Sequence, residues 1–146
     1  MKREIIQTLD GSTTIHIAEW DECYHSKHGA IQEAQHVFIK NGLSLFPNRN
    51  VSILEIGFGT GLNAFITLLE AKKLQQSIDY VGVEAYPVLL DEALQMNYVS
   101  ELNAFENAII FNEMHQSLWC QKHTVSNNFN LTKRQIKMLR LIKLRY

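Results

Sequence analysis

The stretch Val51-Ser-Ile-Leu-Glu-Ile-Gly-Phe-Gly-Thr-Gly-Leu-Asn63 constrains the fold more than any other part of the chain. Residues 51–56 form a short, mostly apolar run rich in β-branched side chains, the composition of a strand buried in a parallel sheet. Gly57, Gly59 and Gly61 follow at alternate positions, and a helical pattern runs from Leu62 to about residue 74. A strand, a glycine turn and a helix N-terminus together present backbone N–H groups to a ligand, and bulky side chains there would block its approach. Glycines repeated this way after a buried strand are unfavourable unless something must come close. Gly57, Phe58, Gly59, Thr60 and Gly61 are therefore candidate ligand-binding residues.

A chain of 146 residues allows one domain and little more. No segment approaches the length and hydropathy of a membrane span. Glu4, Gln7 and Asp10 interrupt any apolar core behind Met1-Lys-Arg, so the N-terminus does not read as a signal peptide and a cytoplasmic protein is expected. Cys23 and Cys120 are too few and too isolated for a disulfide framework, and read as reduced thiols. The net charge of −1 hides an asymmetry. Residues 1–115 hold seven Lys/Arg against fifteen Asp/Glu, whereas residues 116–146 hold seven Lys/Arg and no acid.

Residues 4–9 and 13–19 read as strands joined around Asp10-Gly11, a hairpin signal, with Ile15 and Ile17 alternating against polar neighbours. Residues 24–29 form a polar loop. A helix is expected over 30–41, with Ile31, Ala34, Val37 and Phe38 on one face and Gly42 as its stop. Residues 78–84 read as a second strand, and Pro87 is placed to open a helix reaching about residue 98. Residues 101–120 read as helical with an interruption near 103–107, and 123–131 as a third strand. Phe105, Trp119 and Phe129 read as core aromatics. The alternation of strand and helix gives an α/β, doubly wound, Rossmann-like sheet with an N-terminal hairpin.

In such a sheet the ligand lies beyond the carboxyl ends of the strands. Glu84 ends the second strand twenty-three residues after Gly61, the distance at which these folds offer an acid to a ribose. Two cofactor classes compete. Gly59-Thr-Gly61-Leu-Asn-Ala64 matches the dinucleotide pattern G-x-G-x-x-A, a weak signal by itself. Glu55, two residues before the first glycine, would meet like charge beside a pyrophosphate. S-adenosylmethionine carries an ammonium and a sulfonium instead, and both are favoured near an acid. Glu55 thus favours S-adenosylmethionine over NAD, and no Gly-Lys-Ser/Thr follows to suit a nucleoside triphosphate.

Glu55-Ile-Gly-Phe-Gly-Thr-Gly-Leu-Asn63, upstream Tyr24-His-Ser-Lys-His-Gly-Ala-Ile-Gln-Glu-Ala-Gln-His-Val-Phe38 and downstream Gly82-Val-Glu-Ala-Tyr-Pro87 together resemble the MnmC/MnmD-type tRNA methyltransferases. That resemblance implies an S-adenosylmethionine-dependent transfer of methyl to the aminomethyl group of a wobble uridine, converting 5-aminomethyl-2-thiouridine, with tRNA as substrate. It implies that Gly57, Gly59 and Gly61 pack against the cofactor, Glu55 lies near its methionine end and Glu84 holds its ribose. Asn63 and the 24–29 loop, with Tyr24 and Ser26, would help close the pocket.

The resemblance runs to about residue 131. Family members continue into a fourth strand ending in an Asp-Ala-Phe-Ala-Pro-like segment that lines the acceptor site, and this chain continues instead as a basic segment over 132–146. The expectation is a partial methyltransferase domain over 1–131 whose central strand keeps one edge unpaired, and which is therefore either marginally stable or dependent on a partner protein that completes the sheet. No catalytic residue is assigned, and two alternatives stay open: a non-catalytic cofactor-binding remnant and a small NAD-linked oxidoreductase. The basic segment has three readings: the remnant of a longer gene, an RNA- or surface-binding amphipathic segment bearing Arg134, Lys137, Arg140 and Lys143, or a solvated helix. His25-x-x-His28 and His115…Cys120-x-x-His123 contain metal-ligand types without a full tetrahedral set, so no metal site is expected.

Overall fold

A computed structural model describes residues 1–137. Strands β1 (Arg3–Gln7) and β2 (Thr13–Ile17) pair antiparallel around the Asp10-Gly11 turn, and a two-residue strand β3 (Glu22–Cys23) extends them into a small sheet. The turn is built to hold the next element. Thr8 Oγ1, Ser12 Oγ and Asp10 Oδ2 accept the backbone N–H groups of Ala30, Ile31 and Gln32 at 3.2, 3.2 and 2.9 Å. These are the donors that the first turn of a helix cannot satisfy internally. Gly29, which starts that helix, is needed because a Cβ there would stand 2.6 Å from Asp10 Oδ2.

The helix itself, α1 (Ala30–Ala34), continues as a π-helix over Gln35–Lys40. The wider winding changes which side chains face inward. Ala30 and Ala34 are buried and Ile31 and Ile39 pack on the core, whereas Val37, expected inside, is half exposed. After a 3₁₀ turn at Leu43–Leu45 come β4 (Asn50–Ile56), α2 (Leu62–Lys73) and β5 (Ser77–Glu84).

The single helix expected from Pro87 is instead two short ones, α3 (Leu90–Ala93) and α4 (Tyr98–Glu101). Tertiary contacts break it. Asn97 accepts the backbone N–H of Thr13 and donates to Gly11 O, and Arg3 donates to Pro87 O and Glu92. Both ends of the segment are thereby tied to the hairpin. The expected interruption near residues 103–107 is present as a 3₁₀ turn at Phe105–Asn107, ahead of α5 (Ala108–Gln116). Phe105 sits on that turn 66% exposed and is not a core residue, whereas Phe129 is buried.

The third strand is a hairpin, β6 (Lys122–Ser126) and β7 (Phe129–Gln135), turning through Asn127-Asn128. The Asn128 amide donates to Gln76 O and fixes the turn against the start of β5. Strand β7 carries on past residue 131, so Thr132–Gln135 of the basic segment are sheet residues and Lys133 is buried. Arg134 therefore lies on a strand rather than a helix. Leu139, Arg140, Ile142 and Lys143 lie outside the described residues.

The main sheet has the order β4-β5-β7-β6, parallel except for β6. One face carries Val51, Ile53 and Glu55 from β4, Ile78, Tyr80 and Gly82 from β5, and Phe129, Leu131 and Lys133 from β7. This face meets the helices, with the Tyr80 and Phe129 rings stacked 5.7 Å apart and Phe111 of α5 edge-on to Phe65 and Tyr98. The opposite face is open among the described residues. Leu54 and Ile56 are 67% and 58% exposed there, bordering a groove of about 560 Å³ shared with Val81, Val83, Arg134 and Ile136. Strand β4 pairs with β5 alone among the described strands.

The two faces should respond differently to substitution. A Cβ on Gly82 would overlap the Phe58 ring. Gly82→Ala is expected to cost about 1–3 kcal/mol in urea denaturation, whereas Leu54→Ala on the open face costs less than about 1 kcal/mol. Equal losses at the two positions would contradict this division of the sheet.

Candidate cofactor-binding site

At the carboxyl end of β4 the chain turns back over β5. The Gly57 and Phe58 N–H groups both donate to Val83 O, at 2.8 and 3.0 Å, which extends the parallel pairing into the turn. Gly57, Gly59 and Gly61 have φ of 91°, 52° and 73°, the left-handed region that favours glycine. Their surroundings differ. The position of a Cβ on Gly57 has nothing within 4 Å, on Gly59 it meets the Tyr24 ring at 2.9 Å, and on Gly61 it meets His115 Nε2 at 3.0 Å. Gly57 thus faces open space, while the other two admit neighbouring side chains of the protein itself.

Glu84 closes the turn. Its Oε2 accepts the Gly59 N–H at 2.9 Å and its Oε1 accepts the Tyr86 N–H at 2.9 Å. A carboxylate oxygen has two lone pairs, so each retains acceptor capacity for a further donor. The backbone after Glu84 is held by Arg3, which donates to Tyr86 O and Pro87 O and pairs with Glu92 at 2.9 Å. Tyr24, Gly59 and Glu84 are brought together as the sequence implied. Ser26 is turned elsewhere: its N–H donates to Glu33 Oε2 at 2.8 Å and its hydroxyl accepts from the His28 N–H. No hydrogen bond joins Ser26 to the glycine turn among the described residues.

Glu55 lies beneath the turn, on the helix-facing side of the sheet, and is buried. Its Oε1 accepts from Asn63 Nδ2 at 2.7 Å and its Oε2 from the Tyr80 hydroxyl at 2.8 Å. Burial pushes its carboxyl up to about 7, opposed by those two donors and reinforced by the nearby Glu84 charge. Asn63 Oδ1 is enclosed without a donor. The candidate acids are therefore of two kinds, an accessible Glu84 and an enclosed Glu55 that an arriving positive charge would help to ionise.

Thr60 is held by Tyr98, which no motif singled out, and by His25 and His115, which the sequence offered only as members of incomplete metal-ligand sets. His115 Nε2 lies 3.1 Å from Thr60 O, and since a carbonyl only accepts, that nitrogen carries the proton. The Tyr98 hydroxyl donates to Thr60 Oγ1 at 2.9 Å, and His25 Nε2 lies 3.2 Å from the same atom. Burial and the Lys133 charge pull the His115 imidazole down to about 4, so it is neutral. His123 Nε2 points instead to Leu118 O at 3.3 Å. Among the described residues no three His, Cys, Asp or Glu side chains gather as a metal cluster.

No family model matches the chain. Among curated relatives, the tRNA 5-methylaminomethyl-2-thiouridine biosynthesis bifunctional protein MnmC of Marinomonas sp. (strain MWYL1) is 36% identical over 93 residues, covering 56% of this chain and 14% of that protein. The protein of the same name from Ralstonia nicotianae is 38% identical over 76 residues, covering 48% of this chain and 12% of its own length. The chain is MnmC-like. It matches the crystal structure of MNMC2 from Aquifex aeolicus with a TM-score of 0.66 and 22% identity, over 97% of this chain and 45% of that one. This likeness shows a shared fold, that of an MnmC2-type α/β domain. The chain thus spans less than half of the solved relative and about one seventh of the Marinomonas protein.

The state of Glu55 has a measurable consequence. A carboxyl raised from 4.5 to about 7 favours the protonated folded form, a stability fully present below pH 4.5 and lost as pH rises through about 7. Glu55→Gln removes that dependence. The stability of the wild type relative to Glu55→Gln should fall by about 3 kcal/mol between acidic and mildly alkaline pH. A difference that stays constant with pH would show that Glu55 is not protonated in the folded protein.

Proposed function

We propose that this chain binds S-adenosylmethionine at the Gly57–Glu84 end of the sheet and serves in methylation of the wobble uridine of tRNA, with 5-aminomethyl-2-thiouridine as acceptor. The observation that carries the reading is that Gly57 is left-handed and faces open space in a turn whose Gly59 N–H is accepted by the Glu84 carboxylate, at the ends of adjacent parallel strands. In this reading Gly57 lets the cofactor approach the backbone, and Glu84 accepts the ribose hydroxyls with its remaining lone pairs. In the same reading the Tyr24 ring, which lies against Gly59, would border one side of the bound cofactor.

The charge of the site supports a cationic cofactor over a dinucleotide. Glu55 and Glu84 flank the turn, and Arg3 beside it is committed to Glu92 and two backbone carbonyls. Beside these carboxylates a pyrophosphate would meet like charge. When bound, S-adenosylmethionine supplies an electrophilic methyl on a sulfonium. The chain's own residues bind and orient it, and the transfer requires an unprotonated amine aligned with that methyl. None of the described residues is assigned to the acceptor amine.

The relatives' names support tRNA as the macromolecular substrate and, with it, a cytoplasmic location. Among the described residues no helix is long and apolar enough to cross a membrane.

Titration calorimetry with S-adenosylmethionine and with NAD tests the cofactor. Binding of the first alone is expected, and binding of NAD alone would overturn the assignment. Glu84→Gln should weaken S-adenosylmethionine by about tenfold or more, since a charged acceptor is lost. Methyl transfer to undermodified tRNA then separates an enzyme from a protein that only binds the cofactor. Binding without turnover would leave the second.

A further inference from the structure

Thr60 separates two left-handed glycines and is 0% exposed, with its hydroxyl turned into the protein. A glycine turn of this kind has few internal restraints, because glycine loses more freedom on ordering than any other residue. Beyond the backbone bonds to Val83 O, the Gly61 N–H to Phe58 O bond and the Glu84 contact, a further set of restraints comes from outside the turn and converges on one residue. Tyr98 reaches it from α4, His115 from α5 and His25 from the loop that also places Tyr24 on Gly59.

Hydrogen bonding gives the convergence a direction. His25 is buried, which lowers its affinity for a second proton, and Glu33 of α1 faces its Nδ1 at 3.9 Å. A neutral ring with its proton on Nδ1, towards that carboxylate, leaves Nε2 as acceptor. The Tyr98 hydroxyl then donates to Thr60 Oγ1, and the Thr60 hydroxyl donates to His25 Nε2. His115 donates to Thr60 O from the opposite side, while its own carbonyl accepts from Lys133 Nζ at 2.8 Å. Each partner is itself anchored: His25 N–H donates to Thr14 Oγ1 in the hairpin, and the Tyr98 ring stands edge-on to Phe111.

We propose that Tyr98, His25 and His115 are positioning residues that set cofactor affinity by holding the Gly57–Gly61 turn through Thr60. They touch no ligand. They restrict the turn to the conformation in which Gly57 stays open, and they join the 24–29 loop to it so that both sides of the pocket are organised together. Preorganisation of this sort raises affinity by ordering the site before the ligand arrives. The inference rests on reading this turn as the cofactor cradle.

The test uses the whole chain as wild type, Tyr98→Phe, Thr60→Val and Thr60→Ser. Two quantities are measured: hydrogen–deuterium exchange of residues 57–61 without ligand, and the dissociation constant of S-adenosylmethionine by calorimetry. Tyr98→Phe and Thr60→Val should each raise exchange in this turn by about three- to tenfold and weaken S-adenosylmethionine by a similar factor. Thr60→Ser, which keeps the hydroxyl, should restore both. Unchanged exchange at 57–61 in Tyr98→Phe and Thr60→Val, or a Thr60→Ser variant that behaves like Thr60→Val, would overturn the proposal. So would a uniform rise in exchange along the chain, since that marks a general loss of stability. Failure of the wild type to bind S-adenosylmethionine would overturn the cofactor reading and the affinity role resting on it. The exchange measurement would still decide whether Thr60 is held as described.

Discussion

The seat of the Phe58 ring on Gly82 is the contact on which the rest of the site depends. A side chain at residue 82 would occupy the space of that ring, and β4 could not then fold back over β5 at this level. With the ring seated, Val83 O accepts two successive N–H groups from the turn, and α2 starts at Leu62 in line with the sheet. The far edge of the same ring lies 3.4 Å from the Cβ position of Gly61, and its face meets the His115 imidazole edge-on at 6.1 Å. One aromatic side chain therefore relates strand, turn and α5 to one another.

The same level of the sheet holds its least comfortable charges. Glu55, Gly82 and Lys133 are register partners across β4, β5 and β7. Two strand spacings, roughly 10 Å, and the Phe58 ring separate the carboxyl from the ammonium. They do not form an ion pair, and each is served by local partners: Asn63 and Tyr80 for Glu55, and the His115 carbonyl for Lys133, whose ammonium also lies 5.0 Å from the Trp119 ring centre. Desolvation moves Glu55 up to about 7 and Lys133 down to about 8, each towards its neutral form. The weight that the sequence places on Glu55 as a selector against phosphate is accordingly shared. In the proposed reading the partly exposed, acidic Glu84 bears on that selection as well.

Local signals were legible where one residue does one job. The Asp10-Gly11 hairpin, the strand–glycine–helix unit and the interruption before α5 could all be read from residue types and spacing. The misreadings have separate causes. The helix after Pro87 breaks because Asn97 and Arg3 bond to a hairpin more than eighty residues away in sequence. Val37 turns outward because a π-helical stretch replaces the expected period. The hairpin at Asn127-Asn128 was signalled by two turn-forming residues between alternating runs, and merging them produced one strand.

The sequence by itself determined the parallel α/β core and the left-handed glycine turn at the end of the first strand of its main sheet. These follow from local backbone chemistry: β-branched runs favour strands, and only glycine accepts repeated left-handed conformations without strain. Tertiary structure alone decided which glycine is open, which acid is enclosed and which residues grip Thr60. Such facts depend on side chains from the 24–29 loop, α4 and α5 meeting at Thr60, and no spacing along the chain encodes where those elements come together.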